Sequence, residues 1–142
     1  MRKENNRLSF VDFLRNFKSV PESPAHSATM GFSFNDNPFF APVGEAFIAE
    51  FGADAHTTTG RKPLPHVGHR VSRIDVQSGQ VHAFAVNRTG LPTSETNGGG
   101  FERPTDAVFD SNGALYIADF GLLTGGSAVP GTGVIWRITR ET

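Results

Sequence analysis

The feature of this 142-residue sequence that most constrains its fold is an internal repeat. Residues 44–52 (GEAFIAEFG) match residues 113–121 (GALYIADFG) at a constant offset, since 113 − 44 = 69 and 121 − 52 = 69. An aromatic residue, Ile, Ala, an acidic residue, Phe and Gly follow one another in both segments. Such a repeat indicates one supersecondary unit that occurs twice in the chain.

A second pair of segments extends the repeat. Residues 71–74 (VSRI) correspond to residues 135–138 (IWRI), where the offset falls to 64 because 137 − 73 = 64. The intervening loop therefore differs by five residues while the pattern of the flanking segments is kept. Loops that vary between recurring apolar segments are typical of stacked structural repeats.

The apolar runs of each unit are rich in β-branched and aromatic residues, which predicts strands. The first unit has four such runs, at 28–34, 46–51, 71–76 and 81–86, and the second has three, at 103–109, 115–120 and 133–139. The 16 Gly and 9 Pro residues suit the turns between short strands. We predict an all-β fold: a partial β-propeller of about two four-stranded antiparallel blades, of which the second lacks its last strand.

The N-terminal segment has a different period and predicts a short amphipathic helix or arm. Its apolar residues follow i, i+3, i+4, i+7 spacing behind Ser9 as N-cap: Phe10, Phe13, Leu14 and Phe17. The stripe either packs on its own domain, which is usual for surface helices, or docks on a partner. The predicted organisation is a helix and linker at 1–25, a first blade at 26–90 and an incomplete second blade at 91–142.

Composition and charge exclude several classes of function. The net charge is −1 with both signs scattered, which argues against partnership with nucleic acid or an anionic membrane surface. The chain has no Cys, so it forms no disulfide and offers no thiolate ligand or nucleophile. No stretch is long and apolar enough to span a bilayer, and the first residues lack the apolar core of a signal peptide, which leaves the localisation undetermined.

Several segments resemble the pyrroloquinoline-quinone-dependent glucose and sorbosone dehydrogenases, a family of six-bladed propellers related in shape to NHL-repeat propellers. In the first unit these segments are His26-Ser27-Ala28 followed by Gly31-Phe32, then residues 44–49 and 68–74. In the second unit they are residues 103–106, 112–119 and 133–138, which resemble the final blade of the family. Together they extend over roughly residues 24–139.

The resemblance implies a quinone cofactor with calcium, and it implies His26, Arg70, Arg103 and Asp106 as the residues of this chain nearest to the cofactor. It assigns no catalytic residue and no metal ligand here, because the family's general base and calcium ligands belong to earlier blades. Residues 50–52 (EFG) also depart from the family's His-Gly-Ser-Trp-like loop. The chain alone is therefore expected to be inactive.

Each of these residues also has a simpler structural interpretation. His26 serves either to contact a quinone or to cap its loop, and Arg103 and Asp106 serve either to present charge to a cofactor or to pair with each other. Arg70 serves either to reach a cofactor or as a solvated strand end, and the second interpretation is preferred. A zinc site at His66 and His69 is improbable without a third ligand, and residues 110–113 (DSNG) are interpreted as a turn.

Three hypotheses follow for the function. The chain is a fragment or partial homologue of a quinone-dependent sugar dehydrogenase whose N-terminal blades are missing. Alternatively, it is a subunit of a homotrimeric six-bladed ring, since three copies of two blades make six. In the third hypothesis it is an NHL-type module that binds a protein, a sugar or another small molecule without turnover.

Overall fold

The structure is a computed structural model that describes residues 26–53 and 66–140. In this part of the chain the fold is all-β, with antiparallel sheets of four, three and two strands. The described residues form no α-helix, only a 3-10 helix at Thr93–Glu95, and accordingly no helix able to cross a membrane. The predicted N-terminal helix and linker at 1–25 lie outside the described residues. The strands are β1 (Thr29–Phe34), β2 (Ala46–Glu50), β3 (Arg70–Ile74), β4 (Val81–Val86), β5 (Pro104–Phe109), β6 (Leu115–Asp119), β7 (Leu123–Thr124), β8 (Ser127–Ala128) and β9 (Val134–Ile138).

Each repeat unit forms one sheet. Sheet 1 has the order β1-β2-β3-β4 and sheet 2 has the order β5-β6-β9, while β7 and β8 pair as a separate hairpin. The seven strands predicted from the sequence are confirmed, with bounds that differ by at most two residues from the prediction. The β7–β8 hairpin was not predicted. None of the three sheets closes on itself.

The repeat persists in the strand pairing. In sheet 1 Ile48 lies opposite Phe32, and in sheet 2 its counterpart Ile117 lies opposite Ala107. Ala49 pairs with Val71 just as the second-unit counterparts Ala118 and Ile135 pair with each other. Both sheets also carry a register shift at corresponding places, between Thr29 and Phe32 and between Pro104 and Asp106. The two units are therefore the same three-stranded arrangement, to which sheet 1 adds β4.

One face of each sheet packs against the other sheet, and we call these the inner faces. The hydrophobic core between them includes Phe47, Ala49 and Val71 from sheet 1, and Ala107, Leu115 and Ile117 from sheet 2. Edge-to-face aromatic contacts join the sheets, with the ring centroids of Phe47 and Phe109 5.2 Å apart. Such contacts add to the stabilisation from area burial. The core thus lies between the two repeat units.

Strand β1 runs beside β5 at this junction. Gly31 of β1 packs so closely on Asp106 of β5 that a Cβ added to Gly31 would lie 2.8 Å from the Asp106 Cα. Real Cβ atoms do not approach backbone atoms so closely, so only glycine fits at this position without a shift of the chain. This contact sets how closely the two sheets approach each other.

We call the opposite faces of the two sheets the outer faces, and each carries exposed apolar side chains, such as Phe32 (44%) and Phe34 (40%) on sheet 1. On sheet 1, side chains that share a face with Ile48 include Ala46, Ser72 and Ile74 by register, and these three are buried. On sheet 2, the outer face carries Val108, Tyr116, Ala118 and Ile135, with Arg137 opposite Tyr116. Val108 and Ile135 are 50% and 68% exposed.

Candidate functional site

A polar pocket of about 330 Å³ lies where strands β3 and β5 begin. Three buried polar residues line it: His69, directly before β3, and Glu102 and Arg103, directly before β5. Ser94 of the 3-10 helix and the turn of the β7–β8 hairpin complete its wall. Buried ionisable side chains around a cavity are unusual, because burial disfavours charge, and they make this pocket the candidate functional site.

His69 is the most constrained of these residues. It is 2% exposed, it has the left-handed backbone φ of 53°, and its ring lies against Gly52, where a Cβ would collide with the imidazole. Its Nδ1 lies 2.7 Å from the backbone carbonyl oxygen of Glu102. Since a carbonyl only accepts, Nδ1 carries the proton, and Nε2 of the neutral ring is left as an acceptor.

The pKa of His69 is lowered from its ordinary value. Burial is the main cause, because it disfavours the charged imidazolium, and the positive charge of Arg103 acts in the same direction. The hydrogen bond to the Glu102 carbonyl opposes the shift and only partly offsets it. The imidazole is therefore neutral near pH 7.

Glu102 is held in place by its neighbours. One carboxylate oxygen accepts from the Ser94 hydroxyl at 2.8 Å and the other accepts from the Ser94 backbone amide at 2.8 Å. Its own backbone amide donates to Asp119 at 2.8 Å. Charge-assisted bonds of this kind fix a buried carboxylate firmly. Glu102 thus anchors the 3-10 helix to the start of β5 and shapes the pocket wall.

Arg103 stacks on an aromatic ring. Its guanidinium carbon lies 5.0 Å from the centroid of Phe51, within the range of a cation–π interaction. Phe51 in turn contacts Phe120, its repeat counterpart, with centroids 6.2 Å apart. The side chain is only 8% exposed. This stacking ties the end of sheet 1 to the end of sheet 2.

The other residues predicted to approach a cofactor have separate neighbours. His26 is exposed and has a left-handed φ of 71°, three residues before β1 begins at Thr29. The Arg70 Nε donates to the buried carboxylate of Glu50 at 3.0 Å. Asp106 accepts from the amide of Ala107 at 2.8 Å and lies against Gly31. Of the four residues, only Arg103 lines the pocket.

We tested whether the described residues fit the quinone and calcium that the resemblance implies. A quinone that carries carboxylates needs accessible cations, whereas Arg70 bonds Glu50 and Arg103 is buried against Phe51. Calcium needs six or more oxygen ligands, and the described ranges contain no group of three acidic or His side chains able to hold an ion. Neither arginine that the resemblance implies is thus placed to bind the quinone, and the described ranges show no cluster of acidic side chains for calcium.

Two further sequence predictions concern possible metal ligands. Asp110 accepts from the amides of Asn112 and Ala114, each at 2.9 Å, which confirms the predicted turn. His66 pairs with Glu95 at 3.7 Å, while His69 bonds the Glu102 carbonyl. The two imidazoles thus have different partners.

A larger depression of about 660 Å³ lies at the opposite ends of β1 and β5. Phe39, Phe40, Arg137 and Arg140 are among the residues that line it. Arg140 donates to the Phe39 carbonyl at 2.8 Å and Arg137 donates to the Tyr116 hydroxyl at 3.0 Å. The described residues that line it include two arginines and no acidic side chain, so this depression offers less chemistry than the polar pocket.

The sequence analysis did not single out Glu102, and it considered His69 only as a zinc ligand. The contact between them joins positions 33 residues apart, which no local pattern reveals. The available signal was the repeat itself. The repeat places His69 directly before a strand of the first unit and Glu102 directly before a strand of the second unit. Strand starts of adjacent repeats meet, so these two residues could be expected to lie close together.

Comparison of the sequence with models of known protein families finds no match, and comparison with curated proteins finds none either.

Proposed function

We propose that the chain supplies two consecutive blades of a β-propeller of the quinone-dependent sugar dehydrogenase kind. The main support is an equivalence between faces. The outer face of sheet 2 is formed by Val108, Tyr116, Ala118 and Ile135, which are the repeat counterparts of Ser33, Phe47, Ala49 and Val71 on the inner face of sheet 1.

This equivalence indicates the role of the outer face of sheet 2. In sheet 1, the side chains at these positions pack on the next sheet in the chain. In sheet 2 these four positions are apolar or aromatic, with Arg137 opposite Tyr116 as the charged member of the face, and Val108 and Ile135 are half exposed or more. Exposed contiguous apolar surface marks an interaction site. The face therefore receives a further blade, packed on sheet 2 as sheet 2 packs on sheet 1.

The proposal limits the role of this chain in any sugar oxidation. The resemblance assigns the general base and the calcium ligands to other blades, and Arg70 and Arg103 are engaged by Glu50 and Phe51. The chain thus contributes architecture and a wall of the active-site mouth. With pyrroloquinoline quinone, calcium, glucose and an electron-accepting dye, the isolated chain is expected to reduce no dye, and dye reduction above a no-protein blank would contradict the proposal.

The interaction of the outer face of sheet 2 is testable in the isolated protein. An exposed apolar face drives self-association at high concentration, which sedimentation velocity measures directly. We expect Ile135→Asp to abolish the association, because it places a charge at the most exposed apolar residue of the face. The matched control is Val43→Asp, which changes an apolar residue that is 60% exposed outside the sheets. Equal behaviour of the two variants, or a wild-type chain that never associates, would count against the proposal.

A second candidate function is small-molecule binding in the polar pocket, as in an NHL-type module. The observation that favours it is that neutral His69 and Glu102, whose carboxylate is held by Ser94, line the same pocket. His69 presents a hydrogen-bond acceptor and Glu102 presents a carboxylate. Both groups suit a ligand that carries hydroxyl groups, such as a sugar. Titration calorimetry with glucose tests this idea. Binding that is lost in His69→Gln supports it, and the absence of heat at millimolar glucose excludes glucose as the ligand.

A further inference from the structure

The sequence contains two Asn-Gly pairs, and the structure places them in different surroundings. Asn97-Gly98 follows the 3-10 helix, whereas Asn112-Gly113 lies in the turn between β5 and β6. Both asparagines are exposed. In such a pair the glycine nitrogen can attack the side-chain carbonyl carbon of the asparagine, because glycine has no side chain that hinders the approach. Asparagine is accordingly one of the thermally labile residues of proteins.

The backbone nitrogen of Gly98 is only weakly held. The hydrogen bond that its amide donates to the Thr96 hydroxyl is 3.4 Å long, whereas an ordinary N–H···O bond is about 2.7–3.2 Å. Gly98 is exposed, and so is the following Gly99. A Cβ added to Gly98 would come no closer than 3.9 Å to another residue, so the backbone here has room to rotate. Attack by this nitrogen on Asn97 therefore breaks little structure.

The backbone nitrogen of Gly113 is firmly held. Its amide donates to the Asp110 carbonyl at 3.0 Å, and the amide of Asn112 donates to the Asp110 carboxylate at 2.9 Å. Gly113 is buried, and it lies so close to the Asn37 side chain that a Cβ would collide with it. Attack by this nitrogen requires a backbone rotation that breaks the turn. The two pairs thus differ in the nucleophile, although both asparagines are exposed.

We propose that Asn97 is a site of spontaneous modification, at which the side-chain amide is converted to a carboxylate, and that the fold protects Asn112 from the same reaction. The Gly98 nitrogen bonds to Asn97 Cγ, the Cγ–Nδ2 bond breaks, and the amide proton of Gly98 leaves with Nδ2 as ammonia. Water then opens the cyclic imide. Cleavage between Cγ and the nitrogen gives aspartate, and cleavage between the backbone carbonyl carbon and the nitrogen gives isoaspartate, whose chain runs through Cγ.

The modification changes the charge at the rim of the polar pocket. Asn97 lines a shallow depression together with Ser94 and Glu95, and these two residues also line the polar pocket. The reaction adds one negative charge to a chain whose net charge is −1. The Thr93 hydroxyl donates to the Gly98 carbonyl at 2.6 Å, so the aspartate product stays attached to the 3-10 helix. The modified protein therefore presents a more anionic rim, which disfavours an anionic ligand in the pocket.

The test compares the two asparagines within one protein. The full chain is incubated at mildly alkaline pH, which promotes attack by the glycine nitrogen, and peptide mapping by mass spectrometry follows the loss of each asparagine over time. A parallel sample is incubated in guanidinium chloride, where the turn around Gly113 is lost. We expect Asn97 to react several-fold faster than Asn112 in the folded protein, and the two to react at similar rates in the denatured chain.

Two variants identify the attacking nitrogen. Gly98→Ala is expected to slow the reaction of Asn97 several-fold, because the new methyl group hinders the approach, and it has space in the fold. The matched control, Gly99→Ala, is expected to keep the wild-type rate. Equal rates at Asn97 and Asn112 in the folded protein would overturn the proposal, and so would an unreactive Asn97 or an unchanged rate in Gly98→Ala. A preference for Asn97 that persists in guanidinium chloride would show that the local sequence, and not the fold, sets it.

Discussion

The His69 imidazole donates its Nδ1 proton to the backbone carbonyl of Glu102 across 2.7 Å, and so links the start of β3 in sheet 1 to the start of β5 in sheet 2. Both residues are buried and both line the polar pocket. The same bond therefore serves the packing of the repeat units and the electrostatics of the pocket, and it makes the stability of the protein depend on pH.

The pH dependence follows from the lowered pKa of His69. Below about pH 6.5 the unfolded chain binds a proton at this residue that the folded chain resists, so the free energy of unfolding falls as the pH decreases through that value. The slope contributed by one proton is at most about 1.4 kcal/mol per pH unit. Urea unfolding between pH 7.5 and pH 5 measures it.

The control for this measurement is a second histidine variant. His69→Gln is expected to reduce the slope, whereas the exposed His82→Gln is expected to keep it. If both variants retain the wild-type slope, the pH dependence belongs to other groups and the burial of His69 is not its cause.

Gly31 tests the close approach of β1 and β5. In Gly31→Ala the new methyl group meets the Asp106 backbone at 2.8 Å, which forces the strands apart. Overpacking of this kind costs about 1–3 kcal/mol in the free energy of unfolding, which chemical denaturation measures. Gly99→Ala is the matched control, because a Cβ there has no atom within 4 Å. Equal stability of the two variants would show that the strands are further apart.

Asp119 tests the anchoring of sheet 2. Its carboxylate accepts from the amides of Glu102 and Arg103 at 2.8 Å and from that of Gly121 at 3.0 Å. In Asp119→Ala these buried donors lose their acceptor, and each such loss costs roughly 1–3 kcal/mol. We expect a fall of about 3 kcal/mol in unfolding free energy, followed by the fluorescence of the single Trp. Asp36→Ala, at an exposed position, should leave stability nearly unchanged.

Much of the fold follows from the sequence because the information is local or repeated. Strand β2 is a short, nearly continuous apolar run, and its recurrence as β6 predicts the same register for both sheets. The β7–β8 hairpin was missed because its strands are two residues long, although Gly125-Gly126 is itself a hairpin turn signal.

The candidate site was less predictable, because its geometry depends on how the two sheets pack. Most of the residues that the resemblance placed near a cofactor bond other residues of this chain instead. Arg70, for example, forms an ion pair with Glu50. His69 and Glu102 are buried because the start of β3 meets the start of β5. This contact joins residues that are distant in the sequence, so no local sequence pattern predicts it. Local patterns therefore identified the strands but not the pocket between their ends.

The central claim is that the two repeat units pack on each other as successive sheets through their inner faces, and a double-mutant cycle on Phe47 and Phe109 tests it most directly. Their rings meet edge to face at 5.2 Å from opposite sheets. Urea unfolding of Phe47→Leu, Phe109→Leu and the double variant should give a coupling energy of about 0.5–1.5 kcal/mol. Additive losses, with no coupling beyond error, would contradict the account.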